Sequence, residues 1–123
     1  MNTALWIVQG LLAAAFLFAG VMKFTQGHDK LSEQMGWPED FSPGVVKFIG
    51  AMEALGGLGL ILPGLLSVAP ILTPIAASGL AIIQIAAITV HLRRGEKQMI
   101  FINAVLAALA IFVAWGRFGD YPL

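Results

Sequence analysis

A few polar side chains lie inside long apolar stretches of this sequence, where polar groups are rare. Glu53 lies ten residues into the run that begins at Pro43. Gln84 and His91 lie one heptad apart in a second run, and Asn103 lies in a third. Lipid cannot hydrogen-bond a polar side chain, so such residues are expected to face the interior of a helical bundle. There they can bind a ligand through hydrogen bonds or transfer a proton.

Glu53 is the sharpest candidate, because an ionised carboxylate near the bilayer centre is costly unless it is paired or solvated. Counted from the ends of the apolar runs, Lys23 lies about 15 Å away along the membrane normal, too far for a direct pair. Desolvation should then favour a neutral Glu53 at pH 7, which donates a hydrogen bond to Gln84 or to a bound carbonyl oxygen. The alternative is a structural role, in which Glu53 locks the second span to the third.

The other polar residues suggest a shared site. His91 is either a ligand or proton-transfer group, or an interfacial residue beside Arg93 and Arg94. At about 100° per residue, the deep polar residues share helix faces with small residues, and small residues let membrane helices pack closely. We therefore expect one polar seam in one half of the bundle, with Gln9 in the other half. Its expected members are Lys23, Glu53, Gln84, Thr89, His91 and Asn103.

Several kinds of chemistry are not expected from this composition. The sequence has no cysteine, which excludes a thiolate nucleophile, a disulfide and a thiolate-ligated iron–sulfur cluster. Haem and metal are not expected, because His28 is the only other histidine and no cluster has zinc-ligand spacing. No nucleophile–base pair supports an independent catalytic activity. The formal net charge of zero gives no reason to expect a nucleic-acid partner.

The distribution of charge identifies the elements that must position these residues. Hydrophobic residues make up 59% of the 123-residue chain and charged residues only 11%, well below the share of about a quarter in soluble domains. A membrane-spanning helix needs about 20 mainly apolar residues. The stretches 1–22, 54–92 and 98–116 contain no Asp, Glu, Lys or Arg, and with the segment that begins at Pro43 they supply four such helices. The sequence therefore predicts an all-α protein, a single antiparallel four-helix transmembrane bundle over residues 1–123. A short polar connection with a surface helix joins the first two spans, and the spans are expected at about 4–24, 43–62, 70–91 and 98–115.

Basic residues near the span ends predict the orientation of the chain. Only Arg117 lies on the side of the second connection, whereas six basic residues lie on the side of the first and third: Lys23, Lys30, Lys47, Arg93, Arg94 and Lys97. We therefore expect a multi-pass protein of the cell (inner) membrane, with both termini outside the cytoplasm. Five of these six, all except Lys30, are expected to contact anionic lipid or, as the alternative, to draw an anionic substrate to the seam.

Five segments of the chain resemble those of a known membrane family: residues 16–24, 35–43, 50–57, 90–96 and 103–118. On these segments the chain is similar to the DoxX-like family of small four-helix membrane proteins. Relatives in the broader family are associated with sulfur-compound and quinol oxidation complexes, or with oxidative-stress membrane assemblies. The resemblance implies a quinone-linked or redox accessory role, with quinone as the ligand. The implied partners, besides the lipid bilayer, are other membrane redox subunits or a second copy of the chain.

Three functions stay open at this point. The first is an accessory or ligand-binding subunit that holds a quinone between its helices, where an apolar cleft carries a few polar groups. The second is a small proton-coupled transporter or channel that uses Glu53, although four spans are few for alternating access and no inverted repeat is evident. The third is a membrane assembly protein without chemistry of its own. For the first two, the candidate residues are Glu53, Gln84, His91, Asn103 and Lys23.

Overall fold

The computed structural model describes the backbone of residues 1–123 and all side chains except those of residues 39 and 40. Four of the described helices are long and apolar enough to cross a membrane. The all-α four-helix architecture predicted from the sequence is confirmed, with a short helix in the first connection. In chain order the elements are α1 Asn2–Thr25, α2 His28–Met35, a 3-10 helix Trp37–Asp40, α3 Pro43–Leu66, α4 Leu72–Arg94 and α5 Lys97–Phe118.

Helix α3 is longer than the sequence predicts. We expected it to end at residue 62, but it continues through Pro63 to Leu66. A proline cannot donate the helical hydrogen bond to the carbonyl four residues earlier. Here Thr73 Oγ1 of α4 donates to that carbonyl, Gly59 O, at 2.8 Å. A hydrogen bond between helices thus replaces the one that Pro63 lacks, and the helix does not have to stop.

The four spans pack as an antiparallel bundle in which α1 lies mainly against α3 and α4 mainly against α5. The backbones of α1 and α3 come very close at Gly20 and Gly50. A Cβ atom built on Gly20 would lie 2.5 Å from Gly50 O, and one built on Gly50 would lie 2.8 Å from Lys23 Cβ. Only residues without a side chain permit this approach. The contact fixes the offset between the two helices and places Lys23 level with Gly50.

The two ends of the bundle differ in charge. The connections 26–42 and 95–96 lie at one end, which we call the basic end because most of the lysines and arginines lie there. Both chain termini lie at the opposite end, the terminal end, where Arg117 of α5 contacts Asn2 of α1. The orientation of these two ends relative to the cytoplasm stays a prediction.

Candidate functional site

A cavity of about 350 Å³ lies between the spans, in the half of the bundle nearer the basic end. All four spans contribute to its wall, and the first connection adds Gln34, Met35, Trp37 and Phe41. Most of the remaining wall is apolar. The five candidate residues predicted from the sequence all line this one space: Lys23, Glu53, Gln84, His91 and Asn103.

Lys23 and Glu53 form an ion pair in the cavity wall, with Lys23 Nζ donating to Glu53 Oε1. Glu53 is only 2% exposed. The Lys23 ammonium also lies 5.5 Å from the centre of the Trp37 ring, within the range of a cation–π contact. The expectation that Glu53 lacks a cationic partner and donates to Gln84 is therefore wrong.

Lys23 and Glu53 are closer than a count from the helix ends suggests, because the ends of α1 and α3 are not level. The contact between Gly20 and Gly50 sets their offset and puts Gly50 beside Lys23. Glu53 follows Gly50 by three residues, which is about 4.5 Å of helical rise. A long lysine side chain covers that distance along the bundle, so Lys23 Nζ reaches Glu53 Oε1.

His91 is held by a carboxylate at the basic end. Its side chain is buried and lines the cavity, so it points into the bundle and not to the outer surface. His91 Nδ1 lies 2.8 Å from Glu96 Oε1, and Arg94 Nε donates to the same oxygen at 3.2 Å. The contact with Glu96 orients the imidazole ring. Because Glu96 is partly exposed, it connects the cavity wall to the surface of the bundle.

Two amide groups in the cavity wall have atoms without a hydrogen-bond partner among the described residues: Gln84 Oε1 and Asn103 Nδ2. Both atoms are buried, and a buried polar atom left unbonded costs about 1–3 kcal/mol. The side chains of Gln84 and Asn103 line the cavity, and an amide carries both a donor and an acceptor that a bound polar group can use. Thr89, which we expected in the same seam, is instead exposed on the outside of the bundle and donates to Ile85 O at 3.4 Å.

A second buried polar cluster, which the sequence did not lead us to expect, lies at the terminal end. Arg117 is 3% exposed. Its Nε donates to Gln9 Oε1 at 2.7 Å, and its Nη1 donates to Asn2 Oδ1 at 2.7 Å and to Tyr121 O at 2.9 Å. Gln9 Nε2 in turn donates to Leu60 O at 2.6 Å. The signal was available, because Gln9 and Arg117 lie on the small-residue faces of their helices. The cluster ties α1, α3 and α5 together.

The cavity wall thus combines apolar surface with an ion pair, an imidazole and two amide side chains. Such a wall can hold a small, mainly apolar molecule and orient it through a few hydrogen bonds. Within the part of the chain whose side chains are described, no three histidine, cysteine, aspartate or glutamate residues are grouped as a metal site requires.

The fold and the site define a class, that of small multi-pass α-helical membrane proteins with a mainly apolar cavity in one half of the bundle, into which a few polar side chains project. The model of the DoxX-like family matches residues 7–113, and the chain belongs to this family. Comparisons with curated proteins and with solved structures gave no match.

Proposed function

We propose that the protein binds a quinone, or a similar ring-bearing and lipid-soluble molecule, in the cavity between its spans. In this proposal it is an accessory or ligand-binding subunit of a redox process in the membrane, with another membrane redox subunit or a second copy of the chain as its partner. The observation that carries the proposal is the cavity, whose mainly apolar wall contains the amide side chains of Gln84 and Asn103.

The size and the chemistry of the cavity support a ligand of this class. Its volume of about 350 Å³ lies near the lower end of the range for small-molecule sites, about 300–1,000 Å³. It therefore suits a single ring better than a large cofactor. Phe16 and Trp37 supply aromatic surface, on which a planar ring can stack. A quinone carbonyl accepts hydrogen bonds, and the amide side chains of Gln84 and Asn103 in the wall both carry N–H donors.

The ion pair favours ligand binding over proton-coupled transport by Glu53. A transporting carboxylate has to change its protonation state and its contacts in each cycle. Here Glu53 and Lys23 are both held in the cavity wall. Release of Glu53 would leave the Lys23 ammonium without its partner in a buried position, which is costly.

Trp37 provides a direct test of ligand binding, because its ring lines the cavity, whereas Trp6 lies beside Arg117 at the terminal end. Quinones quench tryptophan fluorescence on contact. With the protein in lipid nanodiscs, we expect a short-chain ubiquinone to quench part of the emission saturably, at about one molecule per chain. This saturable part should be missing from the Trp37→Phe variant.

Quinone dissolved in the lipid also quenches tryptophan, but it does so in proportion to its concentration. Quenching that rises linearly with quinone, and to the same extent in the wild type and in Trp37→Phe, would show that the cavity is not occupied.

A further inference from the structure

One side of the cavity wall, between α1 and α5, is exposed. Most of the described wall residues in the four spans are buried or half-buried, including all those of α3 and α4. The exposed ones are Ala15 of α1 together with Met99 and Ile102 of α5. The cavity therefore opens between α1 and α5, at a place that we call the lateral opening.

The side of α5 that faces α1 becomes more exposed toward the basic end. Gly116, Leu109 and Ile102 lie one heptad apart, so they share this side of the helix. The two helices touch at the terminal end, where a Cβ atom built on Gly116 would lie 2.7 Å from Leu5 Cδ1. Gly116 is buried and Leu109 half-buried, whereas Ile102 is 41% exposed. Contact with α1 is thus lost along the length of α5.

The facing side of α1 shows the same change. Val8, in the terminal half, is half-buried and packs against the core, whereas Ala15, one heptad further along, is exposed. The hydrogen bonds between side chains of α1 and α5 run from Arg117 to Gln9 and Asn2, at the terminal end. The two helices therefore separate toward the basic end, and the lateral opening joins the cavity to the lipid around the bundle.

The size of the cavity and the chemistry of its rim indicate what passes through the lateral opening. The volume of about 350 Å³ holds a single ring and leaves no room for a long hydrocarbon chain beside it. The rim consists of the apolar side chains of Ala15, Met99 and Ile102. A hydrocarbon chain that crosses this rim stays on apolar surface and ends in lipid, so it exposes nothing apolar to water.

We propose that the ligand carries a long apolar chain, which leaves the cavity through the lateral opening and lies in the bilayer, while the ring stays in the cavity. The inference rests on the proposed function, since it adds a chain and its route to the same ligand. It assigns the ligand to the membrane quinones and similar lipids with a ring at one end of a hydrocarbon chain. A side chain that fills the lateral opening should therefore act against the chain and not against the ring.

The test compares two quinones with the same ring, ubiquinone without a side chain and decylubiquinone. The chainless quinone is reactive toward thiols, and this protein has no cysteine. Both are titrated into protein in nanodiscs, and the saturable part of the tryptophan quenching is measured, with empty nanodiscs as the correction for partition into lipid. Ala15→Phe places a ring in the lateral opening. It should weaken decylubiquinone binding about tenfold and leave the affinity for the chainless quinone unchanged.

Ala14→Phe is the matched control, because Ala14 is an exposed neighbour of Ala15 that does not line the cavity. It should bind both quinones with the wild-type affinities. Ile102→Trp narrows the lateral opening from the side of α5 and is the second variant, should Ala15→Phe fold poorly. It should cause the same selective loss of decylubiquinone binding.

The outcomes separate this inference from the proposed function. Wild-type affinity for decylubiquinone in Ala15→Phe and Ile102→Trp overturns the route of the chain and leaves the binding function standing. An equal loss of both quinones in these variants also overturns the route, because the substitutions then act on the ring. Saturable binding of neither quinone by the wild type overturns both proposals.

Discussion

Replacement of Glu53 by leucine is expected to lower the free energy of unfolding by about 3 kcal/mol, one of the largest effects of any single substitution in this chain. The change removes the partner of the Lys23 ammonium, which is mostly buried beside Trp37. A buried charge without its partner is strongly destabilising. The measurement is reversible unfolding in mixed micelles with increasing denaturing detergent, followed by helical circular dichroism.

The double variant Lys23→Met with Glu53→Leu shows whether the loss comes from the broken pair. Replacing both members of a buried ion pair by apolar residues is often neutral for stability, so the double variant should regain most of the loss. Lys47→Met is the control, since Lys47 is an exposed lysine on α3 and its replacement should change stability little. A double variant as unstable as Glu53→Leu would contradict the coupling between the two residues.

Gln9→Leu, at the terminal end of the bundle, should lower the free energy of unfolding by a similar amount, about 3 kcal/mol. The substitution removes the acceptor of Arg117 Nε and the donor to Leu60 O. Arg117 keeps its charge in a buried position with fewer hydrogen bonds to compensate for lost water. Unfolding in mixed micelles again measures the effect, and ligand binding in the distant cavity should be unchanged in the folded protein.

Gln98→Leu is the control for this prediction, because Gln98 is an exposed glutamine at the start of α5. It should change the free energy of unfolding by less than about 0.5 kcal/mol. The double variant Gln9→Leu with Arg117→Met removes the buried charge as well and should be less unstable than the sum of the two single variants. If the losses of the two single variants in the free energy of unfolding add up to that of the double variant, Gln9 and Arg117 do not stabilise each other.

The fold could be predicted because lipid imposes simple demands on the sequence. Long apolar stretches that cross the membrane have to be helices, and short connections make consecutive spans antiparallel. The end of α3 could not be predicted in the same way. Proline usually stops a helix, and the hydrogen bond from Thr73 that lets α3 continue past Pro63 comes from a different helix.

The sequence predicted most of the polar residues of the candidate site, but it did not predict which of them pair. Helical periodicity put Glu53, Gln84 and Asn103 on inward faces, and all three line the cavity. The pair of Glu53 with Lys23 depends on the offset between α1 and α3, which a contact between two glycine backbones sets. Periodicity within one helix carries no information on such an offset.

The contribution of the first connection to the cavity wall could not be predicted from the sequence either. Its polar composition indicated a surface segment, yet Trp37 and Phe41 line the cavity. His28 helps to hold this segment in shape, since its Nε2 lies 2.8 Å from Pro38 O and 2.9 Å from Phe41 O. These contacts join residues ten or more positions apart, outside any helical period.

Native mass spectrometry of the protein in nanodiscs loaded with a short-chain ubiquinone tests the claim that the cavity holds a quinone-like ligand. Ala87 lines the cavity, and its neighbour Ala86 is exposed on the outside of the same helix, so phenylalanine at the two positions makes a matched pair. We predict one bound quinone per chain in the wild type and in Ala86→Phe, and none in Ala87→Phe, whose ring occupies the cavity. Equal quinone occupancy in the three proteins, or none in the wild type, would contradict the claim.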